Sequence, residues 1–325
     1  MTAGPDYRPP WWYRGRHLQT LWGPLLRPGR RPALHRERVE TPDGDFLDLD
    51  WLAGRESGVP LVVILHGLEG SSRSHYAAGL LRELAQVGWR GLVVNFRGCS
   101  GEINRSRRMY HSGDTADLDF VLGRLAAREP QLRLGLVGVS LGGNVALKWL
   151  SECGEQAPGQ VAAAVAISTP FNLAACAATL DRGLNRALYT ASFLATMKAK
   201  LDKKAELYRD VLDLPAARKA KTFAEYDRLV TAPLGGFASE RDYWARSSSG
   251  PLLPQIRRPT LLINALNDPF MPASTLPRAA VAKSRWLEAC FVAEGGHAGF
   301  LQGASGARSW AEGRALAFLG RHLLG

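Results

Sequence analysis

Six short runs of nearly uninterrupted apolar character, at 61–65, 91–96, 134–139, 161–167, 260–265 and 286–293, set the rhythm of the chain, and most are followed by segments whose apolar positions recur at helical spacing. Runs this short, with little polar alternation, predict strands covered on both faces. Their alternation with helices predicts an α/β class with a mostly parallel central sheet flanked by helices, the 134–139 run lying on a central strand. Ahead of them, 35–40 and 46–52 flank the turn Thr41-Pro42-Asp43-Gly44-Asp45 and predict an antiparallel hairpin. The alternation breaks between Thr169 and Ile256, where roughly ninety residues carry amphipathic helical stretches and no strand pattern, far more than an ordinary loop. There Leu184, Leu188, Phe193, Leu194, Met197 and Leu201 recur at near-helical spacing. The resulting division is an N-terminal arm at 1–32, a core at 33–168 and 257–325, and a helical cap at 169–256. The arm is rich in proline, arginine and tryptophan, has no clean period before Leu18, and is expected to wrap the body.

Composition narrows the classes. With 325 residues, 46% hydrophobic and 22% charged, the chain can bury a substantial core. A formal charge of +11 invites nucleic acid as a partner. The basic residues are instead scattered, with local clusters at 27–38, 105–108 and 198–204 and no accompanying nucleic-acid motif, so no nucleic-acid partner is expected. Such a surface steers anionic substrates and favours weak peripheral contact with anionic membrane lipid. Cys99, Cys153, Cys176 and Cys290 are isolated, which predicts neither a disulfide framework nor a metal site and fits a cytoplasmic setting. The amino terminus lacks the apolar core of a signal peptide, and no segment reaches the roughly 18 apolar residues of a membrane span.

The chemistry concentrates at Gly138-Val139-Ser140-Leu141-Gly142, where an apolar strand runs into a helix opening at Leu141. A G-x-S-x-G match alone is weak, since about 0.2 such matches arise by accident in a chain of this length and composition. Placement between strand and helix makes it a nucleophile elbow, in which Ser140 takes strained dihedrals and Gly138, Gly142 and Gly143 give strand and helix room to approach. The bland alternative is a glycine-rich turn or a phosphate loop, but the Rossmann and Walker spacings are absent.

A serine nucleophile needs a histidine base, a carboxylate and amide donors for an oxyanion, in the order serine, acid, histidine. The strand at 260–265 delivers Asp268 just past its carboxyl end, and the last strand ends in Glu294-Gly295-Gly296-His297, a turn holding one histidine. Asp268 also suits an Asx turn ahead of Pro269. Asp114 and Asp117 precede Ser140 and read as the first turn of a helix. His322 suits a helix end, and nothing local marks His17 or His75 as a base. The strand at 61–65 breaks into His66-Gly67-Leu68-Glu69-Gly70, so the oxyanion donors are expected to be the Leu68 and Leu141 amides, with His66 structural.

Further segments recur in order: His17-Leu18-Gln19-Thr20, His66 to Gly70, Asn95-Phe96-Arg97-Gly98-Cys99-Ser100-Gly101-Glu102 with Asn104, Tyr110 to Asp114, Gly138 to Gly143, Phe223 to Asp227, Thr231, Gly236-Phe237, Asp268-Pro269-Phe270 and Gly296-His297. In this the chain resembles the YheT-like branch of the α/β-hydrolase superfamily over most of its length. The resemblance implies an α/β-hydrolase fold, a Ser140, Asp268 and His297 triad, no cofactor, and action on small-molecule or lipid-like carboxylic esters. Many relatives carry two aspartates before the proline, whereas here the first is Asn267, leaving Asp268 as the carboxylate. The Arg97 to Glu102 segment and His111 are expected to serve turns and buried ion pairs. Hydrolysis of short- to medium-chain acyl esters is the expected activity. Acyl transfer to an alcohol and a non-catalytic binding role are the alternatives, and oligomeric state is not encoded.

Overall fold

The structure, a computed structural model, describes residues 7–27, 29–54 and 58–324. Residues 1–6 and Pro28 of the expected arm, and 55–57 and Gly325 of the expected core, lie outside it. The hairpin forms as β1 (Leu34–Glu40) and β2 (Phe46–Leu52), turned at Gly44 with φ of 75°. Next come β3 (Leu61–Leu65), β4 (Arg90–Asn95), β5 (Leu134–Val139), β6 (Val161–Ile167), β7 (Thr260–Ala265) and β8 (Leu287–Val292). The fourth strand starts and ends one residue earlier than its apolar run, because Arg90 pairs with Leu61 in the ladder and Phe96 has already left it. Strand order is β1-β2-β4-β3-β5-β6-β7-β8, parallel throughout except where β2 meets β1 and β4. β5 therefore lies in the interior of the sheet.

Alternation along each buried strand feeds two cores. Leu61, Val63 and Leu65 of β3 face α3 (Ala116–Arg128) and α4 (Leu141–Cys153). Val62 and Ile64 face α2 (His75–Gln86) and the terminal helix Trp310–Leu323. Each fully buried valine, leucine or isoleucine contributes roughly 1.5–3 kcal/mol, so a two-sided sheet of this kind is the main source of stability. A two-residue ladder, Leu301–Gln302 with Arg308–Ser309, separates the His297 turn from the terminal helix. It is too short to leave an alternating pattern in the sequence.

Between β6 and β7 the described residues contain helices and no strand. The first, Leu173–Leu180, starts where the Asn172 side chain accepts the Ala175 amide. The helical stretch from Gly183 passes through a wide π turn at Arg186–Thr190 into Ala191–Lys203. This insertion has its own apolar cluster, including Leu194, Leu201, Tyr208, Tyr226 and Val230. The arm forms α1 (Arg16–Leu26), and Tyr13 and Gln19 are fully buried against the body. Among the described residues no helix is long and apolar enough to cross a membrane.

Candidate active site

β5 ends at Val139, and the next residue, Ser140, has φ 55° and ψ −121°. That left-handed backbone costs on the order of 1–3 kcal/mol and persists only where packing demands it. Here the demand is close approach: a Cβ on Gly138 would sit 2.3 Å from the Gly142 carbonyl oxygen, and one on Gly142 would sit 2.4 Å from that of Leu65. The Ser140 amide is tied to the Ile167 carbonyl at 2.8 Å. Gly143 packs on Thr169. The tight turn thrusts the Ser140 hydroxyl into a crevice past the carboxyl ends of the parallel strands.

Two other strand ends deliver its neighbours. His297 Nε2 lies 2.9 Å from Ser140 Oγ, and His297 Nδ1 lies 2.9 Å from Asp268 Oδ2. The other oxygen of Asp268 accepts the Phe270 amide at 2.8 Å, so the Asx turn and the histidine contact coexist on one carboxylate. The Phe270 ring stacks on the imidazole at 3.9 Å. Asp268 is almost wholly buried, and its two strong bonds satisfy a carboxylate that could not otherwise remain there.

The loop after β3 approaches from the opposite side. His66 is buried; its Nε2 accepts the Phe96 amide at 3.0 Å, so Nδ1 carries the proton and donates to the Gly67 carbonyl at 2.8 Å. Burial lowers its pKa to about 4, which keeps it neutral and structural. The Gly67 amide donates to the Tyr76 hydroxyl, and Glu69, with φ of 55°, is held by Tyr110 and by Lys200 at 2.7 Å. Leu68 and Leu141 both front the crevice beside Ser140, and among the described residues neither amide has a protein acceptor.

Residues 60–304 match the family model described as the alpha/beta hydrolase fold. The chain belongs to the α/β-hydrolase fold family. Among its relatives is YheT of Escherichia coli (strain K12), whose name carries a provisional esterase assignment, 38% identical over 88% of this chain and 84% of that protein. Another is the phospholipase ABHD3 of Mus musculus, 29% identical over 91% of this chain and 74% of that protein. The solved esterase Pf2001 of Pyrococcus furiosus superposes with a TM-score of 0.58 at 17% identity, covering 90% of this chain and 91% of that one, a likeness of fold.

In this hydrolase two spaces meet at Ser140 and His297. One is a cavity of about 110 Å³ walled by apolar side chains such as Leu173, Phe193, Met197 and Phe270. The other is a groove of about 400 Å³ between α1 and the insertion, lined among others by Thr20, Leu25, Leu188 and Tyr189. Of the six periodic apolar residues in the insertion, Leu194 and Leu201 pack inside it, Phe193 and Met197 reach the cavity, and Leu184 and Leu188 are exposed.

The rival residues have other occupations. Asp117 pairs with Arg97, which also binds Asp43 and Asp45, and Asp114 pairs with Arg108, so this is the buried ion cluster expected of the Arg97 segment. His17 contacts the Tyr189 hydroxyl, and His322 lies against Phe318. His111 packs edge-on to Phe237 and Tyr243 but also lines the cavity, a position its sequence did not announce. Sequence reasoning also assigned no role to Gln19 and Thr20. Gln19 Oε1 accepts from Asn267 Nδ2 at 2.8 Å and from the Gly295 amide at 3.0 Å, while Thr20 Oγ1 accepts the His297 amide at 3.0 Å. The available signal was that His17-Leu18-Gln19-Thr20 is one of the segments that carry the family resemblance. Asp227 was passed over as well: it is buried at the cavity wall, bonded to Thr231 and Trp244, with its pKa raised to about 6 by burial.

Proposed function

We propose that this hydrolase cleaves carboxylic esters through an acyl-enzyme on Ser140. The observation that carries the reading is the unbroken chain from Asp268 through His297 to Ser140, with both links at 2.9 Å. His297 Nε2 takes the hydroxyl proton as Oγ attacks the ester carbonyl, while Asp268 holds the Nδ1–H tautomer and stabilises the imidazolium that forms. The carbonyl oxygen, now negative, turns toward the amides of Leu68 and Leu141. A donor of this kind is worth about 3–4 kcal/mol in comparable enzymes. His297 then protonates the departing alcohol, and water activated by the same nitrogen hydrolyses the acyl-enzyme.

The 169–256 insertion serves as the cap in this reading, and its cavity takes the acyl chain. Its apolar walls, among them Leu173, Phe193, Met197 and Phe270, suit an acyl chain, and the reading is a short- to medium-chain ester. The alcohol half leaves through the open groove. All four cysteines are free, in keeping with a reducing, cytoplasmic setting. Intact mass after exposure to a fluorophosphonate tests the nucleophile: one adduct on the wild type, absent from Ser140→Ala, is expected. A folded wild type that stays unmodified would overturn it.

A further inference from the structure

Beside the groove, on the face of α2 turned toward the arm, lies a further pocket of about 240 Å³ whose lining includes four arginines and no carboxylate. Arg73, His75 and Arg82 face Arg27 and Arg31 across it. The five are not equivalent. Arg27 forks onto Glu312 and also donates to the His75 and Ala307 carbonyls, so its donors and charge are consumed, and so is the carboxylate. Arg31, Arg73 and Arg82 enter no ion pair among the described residues; Arg82 makes one long bond, 3.4 Å, to the Arg30 carbonyl. Burial, and after it the nearby Arg27 charge, lower the Arg82 pKa, and the more distant Glu312 and Glu83 carboxylates offset this only in part. His75, kept neutral by burial, has a buried Nδ1 with no hydrogen-bond partner among the described residues. Leaving such a group unmatched costs about 1–3 kcal/mol, and three unpaired guanidiniums offer planar forks suited to several acceptor oxygens.

We infer that this pocket binds a phosphoryl group. Leu25, Arg73 and His75 line both the pocket and the groove that reaches Ser140 and His297, whereas the apolar cavity opens on the insertion side. The anion therefore belongs to the alcohol half of the substrate, and the substrate class becomes acyl esters of a phosphate-bearing alcohol. Only this last step rests on Ser140 as the nucleophile.

The test uses the full chain carrying Ser140→Ala, so that binding is read without turnover. Calorimetric titration with inorganic phosphate is expected to show one site, weakened at least tenfold by adding Arg31→Glu and Arg73→Glu, both at exposed positions. Unchanged affinity in the charge-reversed protein, or no binding by the parent, overturns the inference. Thermal melting checks the fold, and Arg73→Gln replaces the double reversal if melting shows damage. Two further arms separate the sources of phosphate. Retention on phosphatidylcholine vesicles containing phosphatidate, lost on charge reversal, assigns the pocket to a lipid headgroup. Binding of soluble glycerol phosphate, lost on reversal and without vesicle retention, assigns it to a soluble ester. Absence of esterase activity in the wild-type chain, with Ser140 in place, would refute the serine reading while leaving the binding result intact.

Discussion

On the arm side of Ser140, Gln19 and Thr20 meet the loops of Asp268 and His297 through hydrogen bonds of 2.8–3.0 Å; on the insertion side, Phe193 and Met197 face the same crevice with apolar surface. Gln19 spans between the two loops: Oε1 serves Asn267 and Gly295, and Nε2 donates to the Tyr13 carbonyl and to Glu294. Directional bonds fix the spacing of two loops that share no strand, which a proton-transfer geometry requires. Apolar contact is non-directional and tolerates chains of different shape, at the cost of weak discrimination, about 1–3 kcal/mol per methylene. The arm thus supplies geometry and the insertion supplies volume.

The sharpest way to break this contrast is at the acid. Asp268→Asn keeps the oxygen that accepts the Phe270 amide, so folding should survive, while an amide facing His297 selects the wrong tautomer. Ester turnover is expected to fall by about a thousandfold to ten-thousandfold. Full activity would move the acid elsewhere.

Gln19→Ala is the corresponding test of the arm. It strands Glu294 and the Gly295 amide in a buried setting, and unfolding in urea should show a loss of about 2–4 kcal/mol, with kcat reduced more than KM is raised. A loss of stability with kcat intact would make Gln19 a structural residue only.

Asp227 is the polar exception in the insertion, and it sharpens the comparison through pH. Its folded pKa, about 6, stands above its unfolded value, so between roughly pH 4 and pH 6 the native state holds a proton that the unfolded state has lost. The stability this adds is present at low pH and disappears as pH rises through 6. Relative to wild type, Asp227→Asn should therefore gain up to about 3 kcal/mol between pH 4 and pH 7, read as a shift in urea midpoints. A pH-independent difference would mean that the carboxyl is ionised throughout.

The smallest effect is expected at Met197. Met197→Ala enlarges the acyl cavity, and the ratio of kcat/KM for an octanoyl over a butanoyl ester should rise several-fold to tenfold. An unchanged ratio would place the acyl chain in the open groove instead.

Much of the sheet was legible because strands buried on both faces leave unbroken apolar runs, and each expected strand at 61–65, 134–139, 161–167 and 260–265 has those bounds in the structure. The elbow was legible for a different reason: only glycine fits where a Cβ on residue 138 or 142 would fall within 2.6 Å of neighbouring backbone, so the demand is written in residue type. Gln19, Thr20 and Asp227 were not, since a polar residue facing a distant loop is indistinguishable in sequence from one facing water. Nothing local in the sequence marked His75 or Arg73, whose pocket exists only between α2 and the arm.

What the sequence by itself determined is local: the order of strands and helices, the strained serine between its glycines, and the strand-end positions of Asp268 and His297. What the tertiary structure decided is which of these meet, the 2.9 Å links across 157 and 29 residues of separation, the arm bridging two loops, and four guanidiniums gathered around one pocket, of which Arg27 alone is ion-paired among the described residues. The physical reason is range. Backbone sterics and periodic burial act within a few residues and mark each residue type, whereas hydrogen bonds and charges act through space between residues whose proximity only the packed sheet establishes.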